Sequence, residues 1–598
     1  MYLDMLYIAT CYLPYAFLLF FAVLIFPALS FFPSLIRTPA LAAAIPIVSL
    51  LIISSFAFLL FKLGIYHHDL ILISSLLFTG LGALRTYLYQ RHHTLRWQKW
   101  DYDFLWLNLG LLLPLIAFNG ISSFMTYDAL QSWNYWALHF YHGEIPDTLG
   151  YPPFLPLFIS YCYHLLGHTE YQGAVKALFF VFPFSVMNAI AFASDKIKQS
   201  PLLYLLLIGA CVFPGFFDVH VYRSYSVGLA DPMLAAAIAT SLMLFLIYLK
   251  NPHEKSYLFF AVLCAITASL SKQPGLLWAC ISLPLLLLIR CFYLKKIDSQ
   301  TVFSILLLWL PATIWLLGPG SHFYNNSGVI SASLHQEHIT LWAMLKTLKV
   351  SIVTYLFLKP ALLILLVAAA FTGYKNRYHC LILFLFLFPA LLCWFIFGSY
   401  AMRLGLYILG AAGVLIAGCD HFLATAKNSF TPHFLKVITV KRLRSACLLL
   451  GVGSFIIFSF TDQENGHINI PNRIYPLNAG LSNIYAYYGQ QAKFVYKTIY
   501  DNPHVSIWAP HRFVAGIFYG HTKIVPLPKS YAVKDVYQNL QTYTPDYVLV
   551  AFCNRDSWDC NAIGEVIKHY PGLLTQIPLG KSDHDYRMYS LNKTYFKN

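Results

Sequence analysis

The feature that most limits this chain is a recurring run of apolar residues long enough to cross a lipid bilayer. Runs of about 17–25 such residues follow one another over most of the 598 positions. Inside a bilayer every backbone N–H and C=O must find its partner within the protein, and a helix does this within one segment. The composition agrees. Hydrophobic residues make up 58% of the chain and charged residues 11%, against about 25% charged in soluble domains. The expected fold is an α-helical polytopic membrane protein of about 14 spans. They fall near 7–32, 39–63, 69–89, 103–120, 174–194, 201–218, 232–249, 257–271, 275–293, 302–318, 356–374, 379–397, 404–421 and 445–461. The first run lacks a basic leader and is too long for a cleavable signal, so it reads as a retained span.

The formal net charge of +15 would suggest a nucleic-acid partner in a soluble protein. Here the cations gather in short loops between spans, where they act as a topology signal. The expected partners are therefore membrane lipids and no nucleic acid. Arg37; Arg91, Arg96 and Lys99; Lys196 and Lys198; Lys250 and Lys255; Lys295 and Lys296; Lys375 and Arg377; and Lys427 to Arg444 occupy alternate loops. Those loops read as cytoplasmic. The opposite loops, 64–68, 121–173, 219–231, 271–274, 319–355 and 398–403, are poor in cations, and 121–173 has none. They read as outer, and so does everything after residue 462.

That tail has another composition. β-rich runs (HVSIWAP, TKIVPLP, DYVLVAF, LLTQIPL, YRMYSLN) alternate with helical stretches such as AVKDVYQNLQTY and AIGEVIKHY, a pattern expected of a small C-terminal α/β extramembrane domain. It carries no Gly-rich nucleotide motif. Its Cys553 and Cys560 are a candidate disulfide if the tail lies outside the cytoplasm. The expected organisation is 1–102 as N-terminal spans, 103–461 as the main membrane module with outer loop 121–173, and 462–598 as the outer α/β domain.

Loop 121–173 holds the polar residues that chemistry needs. On a helix over 127–142, Ala129, Trp133, Trp136, Ala137 and Phe140 share one face, and Asp128, Ser132, Tyr135 and His139 share another. An aromatic amphipathic helix of this kind is expected to lie along a membrane interface. YPPFLPLFISYCYHLLG follows, with an apolar stretch too short for a full span, and reads as juxtamembrane or re-entrant. Asp128 is also a natural N-cap for the helix. LHQEH offers His335, Glu337 and His338, and Glu144, Asp231 and one of these histidines form a candidate divalent-metal set. Asp101–Asp103 and Asp583–Asp585 are Asp-x-Asp triplets with no nucleotide-binding domain beside them.

The order of Asp128, SWNYWALHFYHG, YPPFLPLF, GLADPMLAAA with Asp231, SLSKQPGLL with Lys272 and YAMRLGLYIL with Arg403 resembles the GT-C superfamily of membrane glycosyltransferases. That group includes lipid A aminoarabinose transferases and protein O-mannosyltransferases. The resemblance covers about residues 103–460. It implies a sugar donor on a polyprenyl phosphate, a glycan, lipid or protein acceptor, and inversion at the anomeric carbon. By this resemblance Asp128 is the general base and Asp231 a second catalytic acidic residue. Arg403, Lys272 and Arg223 are phosphate contacts, with Tyr135 and His139 beside the substrate. The candidate cofactor, read from the residues themselves, is a divalent ion on Glu144, His335 and His338. The chain departs from many relatives in having Ala129 after Asp128, where they carry a second acid, and in placing extra spans ahead of the module.

Two other functions compete. A flippase or transporter of lipid-linked glycans would be expected to show repeated halves and mid-span charges; an O-antigen ligase or polymerase would place its site in a late outer loop. The expected location is a bacterial inner membrane with a periplasmic site. An endoplasmic reticulum membrane obeys the same physics, with Asn325 and Asn592 as outer sequons.

Overall fold

The computed structural model describes residues 13–120, 129–146, 151–169, 172–213, 229–295, 298–317, 377–397 and 405–420, most of 495–550 and 558–597, and a few isolated positions. Asp128, Arg223, His335, His338, Arg403 and the triplet Asp583–Asp585 lie outside the described residues, as do the segments 356–374 and 446–461 apart from one residue.

The elements used below are α1 Ile45–Lys62, α2 His68–His92, α3 Lys99–Gly120, α4 Asn134–Tyr141, α5 Phe154–Leu166, α6 Val181–Phe192, α7 Pro201–Cys211, α8 Ala230–Lys250, α9 Lys255–Ser271 and α10 Leu406–Ala417. Among the described residues, six helices are long and apolar enough to cross a membrane: Pro39–Lys62, His68–His92, Gln172–Phe192, Ala230–Lys250, Pro274–Leu294 and Arg377–Trp394. Shorter apolar helices include Phe154–Leu166, Pro201–Cys211, Lys255–Ser271 and Leu406–Ala417. The chain is thus a mostly helical protein with several membrane-spanning candidates.

The centre is α8, buried along nearly its whole length between α6, α9 and α10. Its alanines permit this. Without a hydrophobic drive between helices inside lipid, close approach of small residues supplies the packing. Gly410 on α10 lies over the Ala235 carbonyl, and a Cβ at Gly413 would stand 2.8 Å from Cys211 Sγ of α7. Polar side chains add fixed links. Asn108 of α3 donates to Asn188 of α6 at 2.8 Å, and the Tyr204 hydroxyl of α7 donates to Asn108. Trp278 donates to Ser241 on α8 at 2.9 Å, and Ser241 donates to the Ala261 carbonyl on α9 at 2.7 Å. By contrast α2 exposes Leu72, Ile73, Leu76, Leu77, Leu81 and Leu84, the surface of a helix that faces lipid.

α8 and α9 run antiparallel, joined by the turn at Asn251–Glu254. At about 1.5 Å per residue α8 measures some 30 Å, so its two ends lie about one bilayer core apart. Asp231 is at one end and Lys250 at the other.

In the C-terminal part, β1 Ser506–Trp508, β2 Lys523–Ile524, β3 Tyr547–Val550, β4 Leu574–Ile577 and β5 Arg587–Leu591 form one sheet of order β2-β1-β3-β5-β4. β1 pairs in parallel with β2 and β3, while β5 is antiparallel to β3 and β4. α11 Arg512–Phe518, α12 Val533–Tyr543 and α13 Trp558–His569 connect the strands. Alternation along the strands divides the core between two faces. Ile507, Leu549 and Met588 join Val514 and Phe518 on one face. Trp508, Val548, Val550 and Tyr589 join Val536, Leu540 and Ile563 on the other. Cys553 and Cys560 are disulfide-bonded, with a Cα–Cα distance of 5.4 Å.

Candidate functional site

The turn after Asp128 begins as a π-helical turn, Ala129–Trp133, and continues as α4. Trp133, Trp136, Ala137 and Phe140 are buried, as the shared face requires. They are covered by protein, however, and not by the bilayer interface that the sequence suggests. The chain returns over them: α5 packs on α4, Tyr151 lies 5.6 Å from Trp133 and 6.2 Å from Trp136 between ring centroids, and Phe61 at the end of α1 meets Phe140 edge-on at 5.0 Å. α5 has 13 residues, about 20 Å of helix, which is short of a bilayer core. It is buried among α1, α2 and α4. Beside it, Asn134 Nδ2 and Trp136 Nε1 are buried donors without a hydrogen-bond acceptor among the described residues.

Asp231 and Lys272 form an ion pair at 2.6 Å, with their side chains 6% and 12% exposed. Local structure places them there. Asp231 occupies the first turn of α8 and Lys272 caps the C-terminus of α9. Each therefore sits where its own helix dipole favours its charge. The turn is tight because Gly275 has no side chain: a Cβ there would stand 1.9 Å from the Ala268 carbonyl oxygen of α9. The Lys272 ammonium also lies 6.0 Å from the centre of the Tyr151 ring, a cation–π distance. Asp231 is within electrostatic reach of Tyr407 in the first turn of α10, four residues beyond Arg403. Four sequence segments, those with Trp133, Tyr151, Asp231 and Lys272, thus converge at one end of the bundle.

A second cluster holds Tyr135, His139 and Glu144. His139 Nδ1 is 2.6 Å from Glu144 Oε2 and 2.9 Å from the Tyr519 hydroxyl, which itself donates to Glu144. Tyr519 follows α11 of the sheet region. Its ring lies 4.2 Å from His139, 5.3 Å from Tyr135 and 5.6 Å from His142 between centroids. Burial alone would raise the Glu144 carboxyl. The hydrogen bonds from Tyr519 and His139, with the charges of His139 and His142, outweigh it and hold the group below its ordinary value. Burial and the Glu144 carboxylate push the Tyr519 hydroxyl up. Tyr519 is the contact that sequence reasoning missed, and nothing local to it marks the role.

Of the metal set, Glu144 is engaged in this cluster. Among the described residues no group of three or more His, Cys, Asp or Glu side chains could hold a metal ion. In the first Asp-x-Asp triplet, Asp101 pairs with Lys198 at 2.6 Å and accepts from the Gln98 backbone at 2.7 Å, a structural use.

No protein-family model matches the chain, and no curated protein is similar to it.

Proposed function

We propose that this protein is a membrane glycosyltransferase of the GT-C type that moves a sugar from a polyprenyl phosphate to an acceptor hydroxyl. The observation that carries the reading is the convergence of Tyr151, Asp231 and Lys272 with the Trp133–Trp136 face at one end of the bundle. These residues come from separate segments that the resemblance names. Two buried donors without acceptors, Asn134 Nδ2 and Trp136 Nε1, suit a site that takes an oxygen-rich ligand.

In the proposed reaction the acceptor oxygen attacks the anomeric carbon as the bond to the phosphate oxygen breaks. Asp128 takes the acceptor proton, and the carrier leaves as polyprenyl phosphate. Asp231 fixes the Lys272 ammonium, and Lys272 with Arg403 and Arg223 meets the charge that gathers on the departing phosphate. Inversion follows from a single displacement. Tyr135 and His139 flank the acceptor side through their contact with Tyr519. A divalent ion at Glu144 with His335 and His338 is the candidate cofactor of this reading.

The orientation is part of the proposal. Lys196, Lys198, Lys250 and Lys255 sit at the end of the bundle away from Asp231, which supports placing that end in the cytoplasm. The catalytic end and the sheet region then face the periplasm, with about 14 spans in all and an outer α/β domain at 462–598. The Cys553–Cys560 bond supports an oxidising compartment for that domain. The test is transfer from a panel of polyprenyl-phosphate sugars by the purified protein in proteoliposomes. Asp128→Asn is expected to lower the rate by at least about 100-fold. Wild-type turnover in that variant sinks the base assignment. A wild type that moves intact lipid-linked sugars across the bilayer and transfers none would instead favour a flippase.

A further inference from the structure

The end of the bundle opposite Asp231 holds a cavity of ≈ 400 Å³, within the range of about 300–1,000 Å³ of small-ligand sites. It is formed where the ends of α6, α8 and α10 meet the starts of α3 and α9. Its wall carries the cations Arg96, Lys196, Lys198 and Lys250 and the carboxylates Asp101, Asp195 and Asp420.

Most of these charges are matched. Lys198 bonds Asp101 at 2.6 Å and Asp195 at 2.9 Å. Lys250 meets Asp420 at 2.9 Å, and Ser194 donates to the same carboxylate. Arg96 and Arg37 share Glu254, at 2.6 and 3.8 Å. Lys196 is the exception. Its ammonium donates to the Asp420 backbone carbonyl at 3.3 Å and acts only at longer range on the Asp420 carboxylate, which Lys250 already holds. Among the described residues, Arg37, Arg96, Lys196, Lys198 and Lys250 stand against Asp101, Asp195, Asp420 and Glu254, one positive charge in excess, and Lys196 is the cation with no carboxylate oxygen in bonding range. Tyr257, Asn251 and Gln98 add neutral polar groups.

We infer that this cavity binds a phosphate monoanion, and that its source is a phospholipid headgroup. One excess cation matches the single charge of a phosphodiester. An ammonium suits phosphate as a point charge. The cavity is larger than an inorganic phosphate requires, and it opens at the helix ends, where headgroups lie. This site is separate from the transfer site proposed above and does not depend on that reading.

The full-length protein in nanodiscs, followed by native mass spectrometry of retained lipid, is the direct test. Wild type is expected to retain phosphatidylglycerol, and Lys196→Gln to weaken that retention about tenfold. Lys196→Arg should keep it, which separates lost charge from lost folding, and Lys62→Gln, at the other end of α1, should match wild type. A second arm titrates inorganic phosphate against the detergent-solubilised protein and reads the melting temperature. Stabilisation by phosphate that Lys196→Gln abolishes, with no lipid preference, keeps the anion site and transfers its source to a soluble ligand. Equal lipid retention in wild type and Lys196→Gln, with no response to phosphate in either, overturns the inference.

Discussion

Removing one member of the Asp231–Lys272 pair gives a sharp prediction. At 2.6 Å and an effective dielectric of about 20, two unit charges attract by about 6 kcal/mol, and desolvation of both groups cancels most of it. Deleting one partner leaves the other buried and unmatched, which costs about 3–5 kcal/mol. Lys272 keeps 12% of its side chain exposed, so Asp231→Leu, which strands the lysine, is expected near the lower figure. Lys272→Met strands an aspartate with 6% exposure and is expected to cost more. The double variant should recover at least half of the summed loss, because no charge is left unmatched. Unfolding in mixed micelles, followed with a thiol-reactive dye, reads this directly, since Cys162, Cys211 and Cys264 are buried and free. The same preparations are assayed for sugar transfer. If the pair positions Lys272 for phosphate, the double variant is stable yet inactive. A double variant with wild-type transfer would show that the pair is only structural and would remove Lys272 from the site. Additive stability losses would refute the pairing itself.

Three further outcomes are expected. Gly275→Ala should destabilise by about 3 kcal/mol, at the upper end for overpacking, because the atom it meets at 1.9 Å is backbone and cannot turn aside; micellar unfolding measures it. Tyr519→Phe should loosen the sheet region from α4, read as faster amide hydrogen exchange in α4 and α11. The Glu144 part of that contact has a definite pH sign. Its carboxyl is lowered in the folded protein, so its contribution is present above the ordinary value of about 4.3 and is lost as pH falls through the lowered one. The effect is small, since Glu144 is more than half exposed. Replacing Cys553 and Cys560 together by Ser opens a loop of separation 7, and the sheet region should lose about 2.5 kcal/mol by the chain-entropy relation, with no such loss when wild type already carries free thiols.

Hydropathy marked the apolar helices because burial in lipid acts on every residue of a segment. The ends of α8 and α9 were read within a few residues, since Asn251–Pro252 and Gln273–Pro274 stop helices locally. The β-rich runs around Ile507, Val548 and Met588 were legible because strand alternation is also local. Pairings between distant segments were not. Asp231 and Lys272 were singled out separately, and their mutual bond depends on how two helices pack. Glu144 has the residue type of a metal ligand, while its contact, Tyr519, is 375 residues away. The Trp133–Trp136 face has the pattern of an interfacial helix, and the pattern cannot say whether lipid or α5 covers it.

The burial of α5 bears on how the chain is made. A 13-residue helix of about 20 Å has no stable home in lipid alone, so it cannot leave the insertion machinery as an independent span. Its cover, α1 and α2, is synthesised first. Tyr66 donates to Ser160 at 3.2 Å and Ser75 meets Tyr161 at 2.7 Å, so the cradle is in the membrane before its occupant emerges. The N-terminal helices thus serve as a built-in assembly template, and a chain that begins at residue 93 should be inserted, fail to seat α5, and be degraded.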